Sequence, residues 1–171
     1  ERGCKAVRSG LDLEHYRALI RAAAPGVEAR DVRFLGSGWD SVALLVDDAF
    51  VFRFPMRDEV AAMLEAERCL LPRLAPSLPL AVPRFLFTGG PLPAFPRRFV
   101  GYPVLPGTPI AELPDVALDP HRIGQALGRF LRALHAAPVD DAVRCGVPVY
   151  TPEQWVERHW RLAEATLPVI E

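Results

Sequence analysis

Apolar residues recur along this chain with two different periods. Over residues 13–24, Leu13, Tyr16, Leu19, Ile20 and Ala23 fall near one face of a 3.6-residue helix, with Asp12 placed to cap it and Pro25-Gly26 to end it. From residue 32 the period drops to two. Residues 32–35, 42–46 and 50–54 read as strands: Gly36-Ser37-Gly38 stops the first, Asp47-Asp48 makes a hairpin turn and Pro55 closes the third. Helical spacing returns over 58–71 on Val60, Met63, Leu64, Leu70 and Leu71, where Pro72 is expected to limit the helix. The linker PSLPLAVP then leads to strands at 85–87 and 99–105, joined by the turn GGPLPAFPRR and broken by Pro106-Gly107. Two amphipathic helices follow. One covers 123–135 on Ile123, Leu127, Phe130, Leu131 and Leu134; the other covers 154–167, with Thr151 as cap and Pro152 at a tolerated first position. The order β-β-β-α-β-β and then helices predicts an α+β fold: a five-stranded antiparallel sheet with one main helix, followed by a helical region.

Composition narrows the picture. The 171 residues suit one domain or two small lobes, and 50% of them are apolar, so a sizeable core is available. A net charge of −1 gives no reason to expect a nucleic-acid or membrane partner. No apolar run approaches the roughly 18 residues that a membrane span needs. The three cysteines, Cys4, Cys69 and Cys145, are odd in number and far apart, whereas a disulfide framework or a zinc site favours pairs at short spacing. A reduced, cytoplasmic setting is the expectation.

Candidate chemistry starts at GSGWDSVALLVDDAFVFRFP, residues 36–55. Strands joined through Gly-x-Gly can expose backbone N–H groups that cradle phosphate oxygens; the plainer alternative is an ordinary hairpin turn. Alternation on the third strand sets Phe50, Phe52 and Phe54 on one face and Val51 and Arg53 on the other. Ala43 and Val51 are small enough to roof a flat ligand beside Arg53. A guanidinium in that position needs an anionic partner, unless the strand is an edge and the side chain reaches water. The following helix offers one. Its apolar stripe runs through 60, 63/64, 67 and 70/71, yet position 67 is Glu67, while Glu65 falls off the stripe and should be solvated. An Arg53–Glu67 pair can hold the guanidinium toward a phosphate, or serve structure alone. Finally, FVGYPVLPG leaves the sheet as a hinge, where the Pro103 C=O and the Leu105 N–H can meet a base edge.

In this order, FLGSGWDSVALLV, VFRFP, MLEAERCLLPRL, GYPVLPGTPI and ALGRFLRALHAAP resemble the small lobe of a protein-kinase-like phosphotransferase. More closely, they resemble the N-terminal portion of the aminoglycoside phosphotransferase family of antibiotic and small-molecule kinases. The resemblance implies a nucleotide-binding lobe over 1–107, with a hinge at 102–107, and the start of a helical acceptor lobe over 108–171. It implies that Gly36, Ser37, Gly38 and Ser41 lie over the phosphates of ATP or GTP. Arg53 stands where the family has its phosphate-binding lysine, within a Phe-Lys/Arg-Phe-Pro pattern, and Glu67 stands at its helix acid. Ala43 and Val51 line the base pocket, Pro103 and Leu105 hold the adenine edge, and Tyr102 guards the back of that pocket. His135 would pack the end of its helix. The partners implied are a nucleotide and a small-molecule hydroxyl acceptor.

The family's catalytic loop is a His-Gly-Asp with an asparagine shortly after it, then a second aspartate that binds Mg²⁺. The four histidines here precede Tyr16, Arg122, Ala136 and Trp160, and the chain contains no asparagine. No catalytic or metal-binding residue is therefore assigned, and the Mg²⁺ ligands are expected outside these residues. The family would also continue for about a hundred residues more. The expectation is thus a small-molecule kinase whose sequence is represented in part. The alternatives are a non-catalytic nucleotide-binding module and a scaffold in which the Arg53–Glu67 pair is only structural.

Overall fold

The computed structural model describes residues 11–37, 40–108 and 119–166. Helix α1 (Leu13–Ala23) starts where Asp12 accepts a hydrogen bond from the His15 N–H at 3.1 Å. Strands β1 (Val32–Ser37), β2 (Ser41–Val46) and β3 (Phe50–Pro55) follow, then helix α2 (Asp58–Leu74), a 3₁₀ turn (Ala75–Ser77), and strands β4 (Phe87–Gly89) and β5 (Phe99–Pro103). The sheet is antiparallel throughout, in the order β1-β2-β3-β5-β4, so β3 is its centre. The β2–β3 hairpin turns on Asp47 and Asp48 at φ 51° and 53°, a left-handed conformation that Asp tolerates better than most residues.

The two faces of the sheet have different fates. Val42, Leu44, Val46, Phe52, Phe54 and Phe99 form one buried cluster with Leu19 and Ile20 of α1. Phe54 sits at its heart, 4.5 Å from the Phe99 ring and 4.6 Å from the Tyr16 ring, centroid to centroid. Val51 and Val100 point to the other face, across which α2 packs on β3 and β5, and both are also buried.

Several boundaries differ from expectation. Helix α2 passes through Pro72 and ends only at Leu74. A proline in the last turn forfeits one backbone bond, and here buried Leu74 and the Ala75 N–H bond to the Leu71 C=O hold the turn beyond it. Along the expected stripe, Val60 and Leu64 are buried, but Met63 is exposed and Ala66 is buried instead. The expected strand at 85–87 starts two residues later: β4 is an edge strand, and its ladder begins where Phe87 faces Gly101. β5 ends at Pro103, opposite Phe50, because β3 offers no strand partner beyond that point.

The helical region comprises α3 (Pro120–His135), α4 (Val139–Arg144) and α5 (Pro152–Thr166). Asp119 caps α3 through the His121 and Arg122 N–H groups, so the helix starts three residues before its apolar pattern does. Thr151 caps α5 as expected: its Oγ1 accepts from the Gln154 N–H, and the Gln154 side chain accepts in return from the Thr151 N–H. Helix α4 carries too few residues for a periodic signal. His135 is exposed rather than packed at the helix end.

Two further expectations are corrected. Cys69 on α2 and Cys145 at the end of α4 form a disulfide, with their Cα atoms 5.4 Å apart. Their 76-residue separation hid the pairing, because folding rather than chain spacing brings α4 onto α2. Glu65 is not free in solvent: it accepts from Arg68 at 3.0 Å and lies 3.8 Å from Arg98. No helix among the described residues is long and apolar enough to cross a membrane.

Candidate functional site

The register places the site. On β3, Arg53 faces Ala43 of β2 and Val100 of β5, while Val51 faces Leu45 and Tyr102. Residues directly opposite across a ladder share a face, so these six side chains line the side of the sheet away from the Phe52–Phe54 core. Arg53, Ala43, Val51 and Tyr102 are assigned by the sequence. Val100 is not, because its place depends on the β3–β5 register, which no local pattern reveals.

Helix α2 brings the counter-charge. Arg53 Nη1 donates to Glu67 Oε2 at 2.8 Å, with the two side chains 26% and 35% exposed. The pair is therefore partly shielded from water, and stronger than a fully solvated one. Only one nitrogen of the guanidinium fork is engaged by Glu67, which leaves other N–H donors on the same rigid plane. Glu65 is as exposed as Glu67, so stripe position rather than depth distinguishes the acid that meets Arg53. The half-buried Tyr102 senses both charges. Burial pushes its phenol pKa up, the Arg53 guanidinium draws it down, and the Glu67 carboxylate raises it again.

Ser41 starts β2 with the same parity as Ala43, and its Oγ is buried without a hydrogen-bond partner among the described residues. Such an orphan hydroxyl is costly unless something else satisfies it. Gly36 pairs with Ala43 just after a bulge in β1, and a Cβ added there would meet nothing within 4 Å. Its backbone can thus be approached closely. Ser37 ends β1 opposite Val42, and Gly38 lies outside the described residues.

At the other end of this face, the Val104 N–H donates to the Ala49 C=O at 2.9 Å. Antiparallel alternation then turns the Pro103 C=O away from β3, beyond the end of β4. Leu105 follows, 38% exposed, and Gly107 breaks the chain at φ +144°, a conformation that suits glycine. Among the described residues, no group of three or more His, Cys, Asp or Glu side chains could hold a metal ion.

An antiparallel five-stranded sheet whose central strand carries a basic residue, held by an acid from the one helix across that face, defines a protein-kinase-like fold. The chain belongs to the phosphotransferase enzyme family APH, whose model matches residues 31–169. Among solved structures, it is 32% identical to the GDP and kanamycin complex of APH(2″)-IIIa, with a TM-score of 0.75 over 89% of this chain and 50% of that one. The GDP complex of wild-type aminoglycoside 2′-phosphotransferase-IIIa is 30% identical, with a TM-score of 0.76 over 91% and 52%. The macrolide 2′-phosphotransferase MphH from Brachybacterium faecium is 25% identical, with a TM-score of 0.63 over 92% and 54%. The chain thus spans about half the length of these proteins. No curated protein matches it.

Proposed function

We propose that the protein is an ATP- or GTP-dependent kinase that phosphorylates a hydroxyl of a small molecule, an antibiotic of the aminoglycoside or macrolide kind. In this reading residues 1–107 are the nucleotide lobe, 102–107 its hinge, and 108–171 the opening of the acceptor lobe. The observation that carries it is Arg53, fixed by Glu67 at 2.8 Å and set on the same face as the Ser41 hydroxyl, which has no partner among the described residues. A cation with spare donors beside an orphan donor is a place for anionic oxygens. The family match and the nucleotide complexes of the similar structures support the same reading.

Each residue has one task. Arg53 grips phosphate oxygens while Glu67 keeps the fork oriented. Ser41 donates to the same oxygens, and the backbone of Gly36, Ser37 and Gly38 closes over them. Ala43 and Val51 pack on the base, the Pro103 C=O and the Leu105 N–H hold its edge, and Tyr102 closes the back. Bound ATP or GTP, with Mg²⁺, supplies the phosphoryl group. The residues that orient the hydroxyl and bind the metal are not among these 171, since no His-Gly-Asp and no asparagine occurs. A nucleotide-dependent kinase works where nucleotide is abundant, the cytoplasm. The Cys69–Cys145 bond runs against a permanently reducing setting there.

The test is thermal-shift titration of the full-length protein with Mg·GTP and Mg·ATP, followed by phosphate transfer to a panel of aminoglycosides and macrolides. Stabilisation by a nucleotide together with transfer to one antibiotic class is the expected result. A well-folded full-length protein that neither nucleotide shifts would refute nucleotide binding. Binding without transfer to any hydroxyl, from a protein with no His-Gly-Asp loop in its complete coding sequence, would leave the non-catalytic module in its place.

A further inference from the structure

The Cys69–Cys145 bond joins the helix that carries Glu67 to the helical region. Cys69 lies two residues after Glu67, about 200° around the helix, so the bond grips α2 on the side opposite the acid. Cys145 is 8% exposed at the C-terminus of α4, whereas Cys69 is half-buried and the more exposed residue of the two. With the bond formed, α2 is pinned between β3 and α4. Without it, α2 is held by the packing of Val60, Leu64, Ala66 and Leu74 and by the Arg53–Glu67 pair itself.

We propose that Cys69 and Cys145 form a reversible thiol–disulfide switch that sets how firmly α2 presents Glu67 to Arg53. A dithiol reductant attacks the bond at Cys69, forms a mixed disulfide and releases the Cys145 thiolate, which takes up a proton. The second thiol of the reductant then resolves the mixed disulfide. Cys69 and Cys145 end as thiols, and the reductant ends as its own disulfide, having given up two electrons and two protons. A bond of this kind in a reducing compartment is transient, which suits a sensor better than a permanent staple. The oxidised state orders α2, and with it the guanidinium; the reduced state loosens both. The consequence for nucleotide rests on the kinase reading above, whereas the consequence for α2 does not.

The full-length protein is prepared oxidised and dithiol-reduced, and each state is mapped by alkylation and non-reducing peptide analysis. A Cys69–Cys145 peptide that disappears on reduction is expected, with two additional thiols becoming alkylatable. Amide hydrogen exchange over 64–74 should then accelerate at least tenfold, and the Kd for Mg·GTP or Mg·ATP should rise about fivefold. The double variant Cys69→Ser/Cys145→Ser should match the reduced protein in both readouts and ignore reductant. The proposal is overturned if glutathione-disulfide treatment never forms the bond, or if α2 exchanges equally in both states. It is overturned too if the double variant still responds to reductant. A reduced protein that no longer melts cooperatively also overturns it, leaving a structural staple. If neither state binds nucleotide while α2 exchange still switches, the kinase reading fails and the thiol–disulfide device on α2 stands.

Discussion

Arg53 on the central strand and Glu67 on the facing helix meet at 2.8 Å, although the two lie in different elements and 14 residues apart. Each is the wrong residue for its local surroundings, a cation in an apolar strand and an acid on an apolar stripe. Together they satisfy one another. By the proposed function, Arg53→Ala removes the phosphate grip and should weaken nucleotide binding by about 10- to 100-fold, the ~1.5–3 kcal/mol of a charged hydrogen-bonding group. Arg53→Lys keeps the charge but loses the fork, and should cost less. Glu67→Gln leaves the guanidinium unpaired and should fall between the two. Isothermal titration with Mg·GTP and Mg·ATP ranks the three; equal affinities for all would remove Arg53 from the site.

Two glycines of the sheet make opposite predictions. A Cβ on Gly101 would meet Phe52 Cε1 at 2.5 Å, so Gly101→Ala should overpack the core and cost about 1–3 kcal/mol of stability. A Cβ on Gly36 would meet nothing within 4 Å, so Gly36→Ala should leave the melting temperature nearly unchanged. It should nevertheless weaken nucleotide binding, because the methyl projects into the space assigned to phosphate. Melting curves with and without nucleotide separate the two effects.

Tyr102 gives a pH prediction. Burial raises its pKa above the ordinary value of about 10, so the folded protein holds on to the phenol proton longer than the unfolded chain does. The linked stability is full below the unfolded value and lost as pH climbs through the folded one. Denaturation followed from pH 9 upward should therefore show a steeper alkaline loss for the natural protein than for Tyr102→Phe. Identical alkaline profiles would show that the phenol is solvated. Tyr16 is raised by burial too, and remains as a common background in both proteins.

The disulfide should also matter to global stability. Closing a loop across a 76-residue separation restricts the unfolded chain by about 4 kcal/mol in the chain-entropy account. Urea unfolding of the oxidised protein should thus show a midpoint well above that of the reduced protein or of Cys69→Ser. Coincident midpoints would mean that the unfolded chain gains little from release.

The sequence by itself determined the order of elements and much of their chemistry. Alternation along β2 and β3 assigned their faces, and local pattern alone was enough to set Arg53, Ala43 and Val51 together. The break in the α2 stripe singled out Glu67, and Asp12 and Thr151 announced their helices. These are properties of neighbouring residues, and helical or strand geometry converts them directly into direction. The tertiary structure decided what depends on residues far apart. The β3–β5 register brought Val100 to the site, packing carried α2 through Pro72, and the meeting of α2 with α4 joined Cys69 to Cys145. Local periodicity cannot encode these, because each is selected by the burial won when distant segments close on one another, against the entropy of the chain between them.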